Sequence, residues 1–286
     1  MRQIEKTNKK GILRKLFIKL CRLLGYELID QADISFATSL NKESASIIGK
    51  KSIVLPLGEI KIKRKIHSFD VILKTCTSVN LVTQNKKRIF EDKKSEYTFR
   101  TLNSLLKSLK KAETNTKNIN FQITIIDAGS PKNDKEIMRE ILRKSQFKFH
   151  FINLNLNDYL QRIKIINKNN DQIESNMKST MASIIKSFEI SKNSNDLVYF
   201  VEDDYIHSLD CISEMLSFYE KFSTIFEDEI FIVPVDYPYL YQKNESTNVY
   251  MGQKFHWRSI KESLLTFLTS KKMINKYYDE LIKMGE

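Results

Sequence analysis

From Phe69 onward, apolar runs of strand length alternate with stretches of helical periodicity, and few folds accommodate that alternation. Short runs that are apolar on both faces need cover on both sides, which a parallel sheet with crossover helices supplies. The first strand is predicted over Phe69–Cys76. A helix follows with Phe99, Leu102, Leu105, Leu106 and Leu109 on one face. A second strand runs over Phe121–Asp127 into the turn-forming Ala128-Gly129-Ser130-Pro131. Asp134 then opens a helix carrying Ile137, Ile141 and Leu142, and Phe147–Asn153 is the third strand. Met181, Ile184, Ile185 and Phe188 mark a further helix before the strand Leu197–Val201. Ser208 is read as the N-cap of a helix with Ile212, Met215, Leu216 and Tyr219 inside, and Ile230–Val235 as one more strand. The predicted class is α/β, a Rossmann-like, mostly parallel sheet flanked by helices with an N-terminal helical extension.

That extension covers residues 1–65, and the main domain 66–286. Between Lys9 and Leu28, Ile12, Leu13, Leu16, Phe17, Leu20, Leu23 and Leu24 recur at three-and-four spacing with Lys10, Arg14, Lys15, Lys19 and Arg22 between them. This basic amphipathic helix suits either an anionic membrane surface or packing on the domain. Residues 29–65 read as a connector, with a short hairpin around Leu57 and Gly58. The 286 residues suffice for one sizeable core. Cys21, Cys76 and Cys211 are odd in number and widely spaced, which suggests neither a zinc set nor a disulfide framework. With no apolar run long enough to span a bilayer and no secretory signal, a cytoplasmic setting is expected, peripheral on the inner membrane face through residues 9–28. The net charge of +12 favours anionic partners, although lysine-rich composition alone produces such an excess.

Chemistry in an open α/β sheet collects beyond the carboxyl ends of its strands. Two acidic loop starts fall there, Asp127 and the run Glu202-Asp203-Asp204. Three successive carboxylates after Leu-Val-Tyr-Phe-Val repel one another, and Mn2+ or Mg2+ would relieve that repulsion. If the pleat continues, Glu202 and Asp204 share a side and Asp203 takes the other. Solvation in a loop, or attraction to the following helix N-terminus, is the competing reading.

Phe69–Cys76, Ile123–Ser130 and Val198–Asp204 together resemble the three signature segments of GT-A-fold nucleotide-sugar glycosyltransferases of the family-2 type, over roughly residues 66–270. The resemblance implies that Asp127 contacts the nucleotide base, although Ala128 replaces a second Asp. It implies that Glu202, Asp203 and Asp204 form an acidic variant of the metal-binding Asp-X-Asp element. It also places Lys74 and Thr75 near the nucleotide, without the proline usual at that strand end. The implied reaction moves a sugar from a nucleoside-diphosphate donor to a glycan, lipid-linked or polysaccharide acceptor. In an inverting enzyme a carboxylate takes the acceptor proton, and Asp236 and Glu262 are the candidates. Related enzymes often continue past a point such as Lys283-Met284-Gly285-Glu286, so the chain is read as a truncated or minimal version.

His256-Trp257-Arg258 is the other concentration of functional side chains, with Ser259, Thr266, Thr269 and Ser270 nearby. The indole face suits stacking on a sugar and the guanidinium suits phosphate, while a core role for the single tryptophan competes. His207 is a weaker candidate, close to Asp204. Two other functions stay open at this point. A nucleotidyltransferase would also use carboxylates at strand ends but lacks a glycine-rich phosphate loop. A non-catalytic basic protein on nucleic acid or membrane leaves the acidic run unexplained, and no nucleic-acid partner is expected.

Overall fold

The computed structural model describes residues 12–26, 61–78, 93–116, 118–164, 171–235, 237, 247–263 and 265–286. The chain divides into two compact units, Met1–Ile60 and Lys61–Glu286. In the first, α1 (Ile12–Leu23) is the predicted helix, and Leu16, Phe17, Leu20, Leu23 and Leu24 are exposed along it. The hairpin expected around Leu57 and Gly58 lies outside the described residues. No helix among the described residues is long and apolar enough to cross a membrane.

The second unit is the predicted Rossmann-like layered structure. In chain order it comprises β1 (Ser68–Thr75), α2 (Lys94–Asn115), β2 (Asn120–Asp127), α3 (Lys132–Ser145), β3 (Lys148–Asn153), α4 (Asp171–Ser191), β4 (Leu197–Glu202), α5 (Cys211–Phe226), β5 (Val249–Met251), β6 (His256–Arg258), β7 (Phe267–Ser270), α6 (Lys271–Lys276) and α7 (Tyr278–Ile282). The main sheet has strand order β3-β2-β1-β4-β7, parallel except for β7, and β5 and β6 form a separate antiparallel hairpin.

Alternation along the strands sorts their side chains into two cores. Phe69, Val71, Leu73, Ile123, Ile125, Tyr199 and Val201 meet α2, α3 and α5 on one face. Ile72, Ile126, Val198 and Phe200 meet α4, α6 and α7 on the other. The helical stripes do as the periodicity predicts: Leu102, Leu105 and Leu109 on α2 and Ile212, Met215 and Tyr219 on α5 are buried.

Two predicted features change. The strand expected over Ile230–Val235 reduces to one bridge, Ile232 with Leu268. Pro234 has no N–H to extend the ladder. Ser208 is not the N-cap of α5. That position is Asp210, and Ser208 contributes only its carbonyl, which accepts from Cys211 N at 3.1 Å.

The unit begins with an extended segment tied to α5 and its C-terminal loop. Lys63 N and Arg64 N donate to Thr224 Oγ1 at 3.2 and 3.1 Å, and Ile66 N to Glu220 Oε1 at 3.0 Å. The Arg64 guanidinium pairs with Asp196 and, at 2.8 Å, with Glu229. All three side chains are largely buried, so removing the guanidinium leaves two uncompensated carboxylates. Arg64→Ala is expected to cost about 3 kcal/mol of unfolding free energy, read as a lower denaturation midpoint in urea at unchanged slope.

Candidate active site at the strand ends

Strands β1, β2 and β3 succeed one another outward on one side, whereas β4 returns to the other side of β1. The crossovers diverge between β1 and β4, and in open α/β sheets such a switch point is where ligands collect, at the carboxyl edge. Register sets which residues flank it: Lys74 lies opposite Glu202, and Thr75 opposite Asp127.

Asp127 is almost fully buried and its oxygens are committed. Oδ1 accepts from Thr75 Oγ1 at 3.0 Å, and Oδ2 from Ser130 N at 3.1 Å and Gly129 N at 3.3 Å. The turn so held needs Gly129 at φ 101°, a conformation that strains any residue with a Cβ. Ser130 Oγ then accepts from Thr77 N at 2.9 Å, and Thr77 Oγ1 donates to Asp134 Oδ2 at 2.7 Å. Thr75 and Asp127 therefore join and shape the loops after β1 and β2. The carboxylate for which the resemblance implies a base contact thus also holds that turn together.

The three acidic residues after β4 divide. Asp203 is buried, with Oδ1 accepting from Lys94 Nζ at 2.6 Å and Oδ2 from Thr98 Oγ1 at 2.7 Å and Cys76 N at 3.3 Å. It is the anchor of α2 and the β1 exit. Glu202 is partly exposed, 3.5 Å from the ammonium of Lys74, and Asp204 is exposed in the turn. Burial pushes the Lys74 pKa down, opposed by Glu202, Asp203 and Asp204. β4 ends at Glu202 and Asp203-Asp204 form the turn beyond it, so the pleat does not continue, and burial alone sets Asp203 apart from its two neighbours. Among the described residues, no three His, Cys, Asp or Glu side chains are grouped to hold a metal ion.

Glu202 and Asp204 nonetheless fit a divalent ion of the kind that takes one or two carboxylates and completes its shell with phosphate and water. Lys74 lies 3.5 Å from Glu202, and Lys94 pairs with Asp203 at 2.6 Å. Sequence reading missed Lys94 and Thr98. Their signal was spacing: they sit one turn apart on α2, and Thr98 continues toward the apolar stripe that includes Leu102 and Leu105.

The remaining candidates lie elsewhere. Trp257 and Arg258 are on β6, in a cavity of about 490 Å³ formed with α5 and residues 230–235, and none of Lys74, Thr75, Asp127 or Glu202–Asp204 lines it. Trp257 stacks on Phe218 at 4.4 Å and donates to Glu214 Oε1 at 3.1 Å. Thr269 Oγ1 donates to Ile230 O at 2.9 Å and Ser270 caps α6, so both serve the fold. Glu262 is exposed in the loop between β6 and β7, and Asp236 lies outside the described residues.

No protein family and no curated protein matches the chain. Among solved structures it is similar to the first 349 residues of S. aureus TarS, at 14% identity and a TM-score of 0.38, over 74% of this chain and 49% of that one. An active-site mutant of LgtC gives 15% identity and a TM-score of 0.37, over 76% and 64%. A galactosyltransferase LgtC structure with donor and acceptor sugar analogues gives 14% and 0.35, over 75% and 64%. The chain spans less than two thirds of each of these proteins. At such values the functional argument rests on the site itself.

His207 is a structural residue. It is buried, with Nε2 3.0 Å from Tyr199 Oη and its backbone N donating to Ser104 Oγ at 3.1 Å. Burial pushes its pKa down to about 4 from an ordinary 6.5. The unfolded chain therefore takes up the proton first: the contribution is complete above pH 6.5 and is lost as pH falls toward 4. Between pH 7 and 5 this group is expected to remove about 2 kcal/mol of stability. Urea denaturation at the two pH values checks it, with His207→Gln flattening that part of the dependence.

Proposed function

We propose that the chain is a glycosyltransferase that takes a nucleoside-diphosphate sugar at the β1–β4 crevice and passes the sugar to a glycan or lipid-linked acceptor. The observation that carries this reading is the partition of the acidic run: Asp203 is buried as an anchor while Glu202 and Asp204 stay accessible at the switch point of the sheet. The partition leaves two accessible carboxylates at the end of β4 and in the turn beyond it.

Glu202 and Asp204 would hold Mn2+ or Mg2+ beside the donor diphosphate; when bound, the ion supplies neutralisation of the charge that develops on the leaving group. Lys74 adds a fixed positive charge on the same edge, and Asp203 fixes the turn from which Asp204 projects. The turn shaped by Asp127 and Thr75 forms the nucleotide-side wall. In the transfer, the bond from the anomeric carbon to the diphosphate oxygen breaks and a bond to an acceptor oxygen forms. The acceptor proton passes to a carboxylate, assigned to Asp236 or Glu262 for an inverting reaction. Trp257 and Arg258 are assigned to the acceptor side.

Calorimetric titration of UDP-, GDP- and dTDP-sugars with manganese, magnesium or chelator tests the proposal. One nucleotide class is expected to bind with the ion, weakened at least about tenfold in Asp204→Ala and Glu202→Ala. Asp203→Ala should instead cost about 3 kcal/mol of stability, because it strands Lys94. A folded protein that binds no nucleotide sugar under any condition refutes the reading.

The exposed apolar stripe of α1, with the basic residues that the sequence sets between its members, supports a place on the inner membrane face through residues 9–28. The protein should sediment with anionic liposomes and be released by salt. Partitioning that survives deletion of residues 1–28 counts against this location.

A further inference from the structure

The cavity beside α5 is a built feature. Glu214, buried in the first turn of α5, accepts from Gln253 N at 3.0 Å, Lys254 N at 2.9 Å and Trp257 Nε1 at 3.1 Å. One carboxylate thus clamps the whole β5–β6 hairpin. Gly252 is required for the approach, since a Cβ there would lie 1.8 Å from Glu214 Oε1. Between the hairpin, α5 and residues 230–235 lies a space of about 490 Å³, the size of a small-ligand pocket.

Its walls are apolar, from Met215, Phe218, Ile232, Val233 and Trp257. Phe226, Phe231 and Phe255 also line it and are 45%, 42% and 51% exposed, so rings stand open at its mouth. Exposed aromatic residues collected round one opening mark a binding surface. The polar side chains on the β6 side are His256 and Arg258, and Arg258 brings a guanidinium suited to an anionic oxygen group. An apolar chamber with a cation at its edge matches an amphiphile.

We propose that this cavity binds the alkyl or isoprenoid chain of an amphiphile with an anionic head, the chain against Val233 and Trp257 and the head toward Arg258. That the amphiphile is the acceptor rests on the function proposed above; its binding does not.

Trp257 is the only tryptophan in the chain, so indole fluorescence of the full-length protein, excited beyond the absorption of its twelve tyrosines, reads this cavity. The probes are decyl phosphate, butyl phosphate, decyl maltoside and ω-brominated decyl phosphate, each kept monomeric. Decyl phosphate is expected to give a saturable change, butyl phosphate to bind at least about a hundredfold more weakly, and the brominated chain to quench the indole by contact. Decyl maltoside should bind more weakly than decyl phosphate, and Arg258→Gln should remove that difference. Val233→Phe, shown folded by its melting curve, should weaken decyl phosphate roughly tenfold. No saturable response, no quenching by the brominated chain in the unaltered protein, or equal response to butyl and decyl chains overturns the proposal; an equal response to the uncharged head overturns the assignment of Arg258. Donor calorimetry on the same sample separates the two readings. Donor binding without amphiphile binding refutes only this inference, and amphiphile binding without donor binding refutes only the glycosyltransferase.

Discussion

β1 is hydrogen-bonded along its whole length to β2 and along most of it to β4. A strand paired on both edges and covered on both faces has no freedom to slip, because a shift by one residue would exchange its two core faces. The positions of Lys74 and Thr75 follow from that constraint, and so do those of Glu202 and Asp127 across from them. Lys74, Thr75, Asp127 and Glu202 are placed by main-chain pairing before any side-chain contact is considered, and Asp204 follows in the turn after β4. Loops alone would not hold carboxylates that closely.

The second determinant is the burial of Asp203. A buried carboxylate without compensation is among the costliest features a core can carry, and this one is met by an ammonium, a hydroxyl and a backbone N–H. Such a pair adds little net stability over an apolar replacement, but it specifies geometry. Asp203 is drawn toward α2, while Glu202 at the end of β4 stays partly exposed and Asp204 in the turn is exposed. The same local sequence thus yields an anchor and an accessible pair, and three neighbouring acids need not act as one ligand set.

Much of this was legible in the sequence. The layered class and the buried faces of α2 and α5 followed from periodicity, which reports burial directly. The sequence assigns all three acids of the Glu202–Asp204 run to the metal, and the burial of Asp203 against α2 is not legible in it. What stayed hidden depended on partners distant in sequence. Lys94 and Thr98 reach Asp203 across more than a hundred residues, and nothing local marks them as its partners. The commitment of Asp127 was equally hidden, because an acid at a strand end reads the same whether its oxygens face a ligand or its own turn. Glu214 was lost for a related reason: a lone acid on an amphipathic helix reads as surface, whereas three donors from the hairpin repay its burial. Trp257 invited a sugar-stacking role, but one of its faces belongs to Phe218.

The donor edge and the cavity beside α5 are linked by residues 203–212, and that segment is fastened along α2 over most of its length. Asp203 bonds Lys94 and Thr98, His207 N donates to Ser104, Asp210 pairs with Lys111, and Ile212 N donates to Ser108. Four successive points on one rigid helix fix a stretch that would otherwise be a free loop. A transfer reaction needs its two reactants held in constant relation, because small misplacements erase most of the advantage of bringing them together. Here the turn that presents Asp204 and the helix that carries Glu214 are referred to the same helical ruler, so a ligand at either place is positioned against a common frame. Buried hydroxyls of α2, Thr98 and Ser108 among them, thus tie the turn after β4 and the start of α5 to one helix.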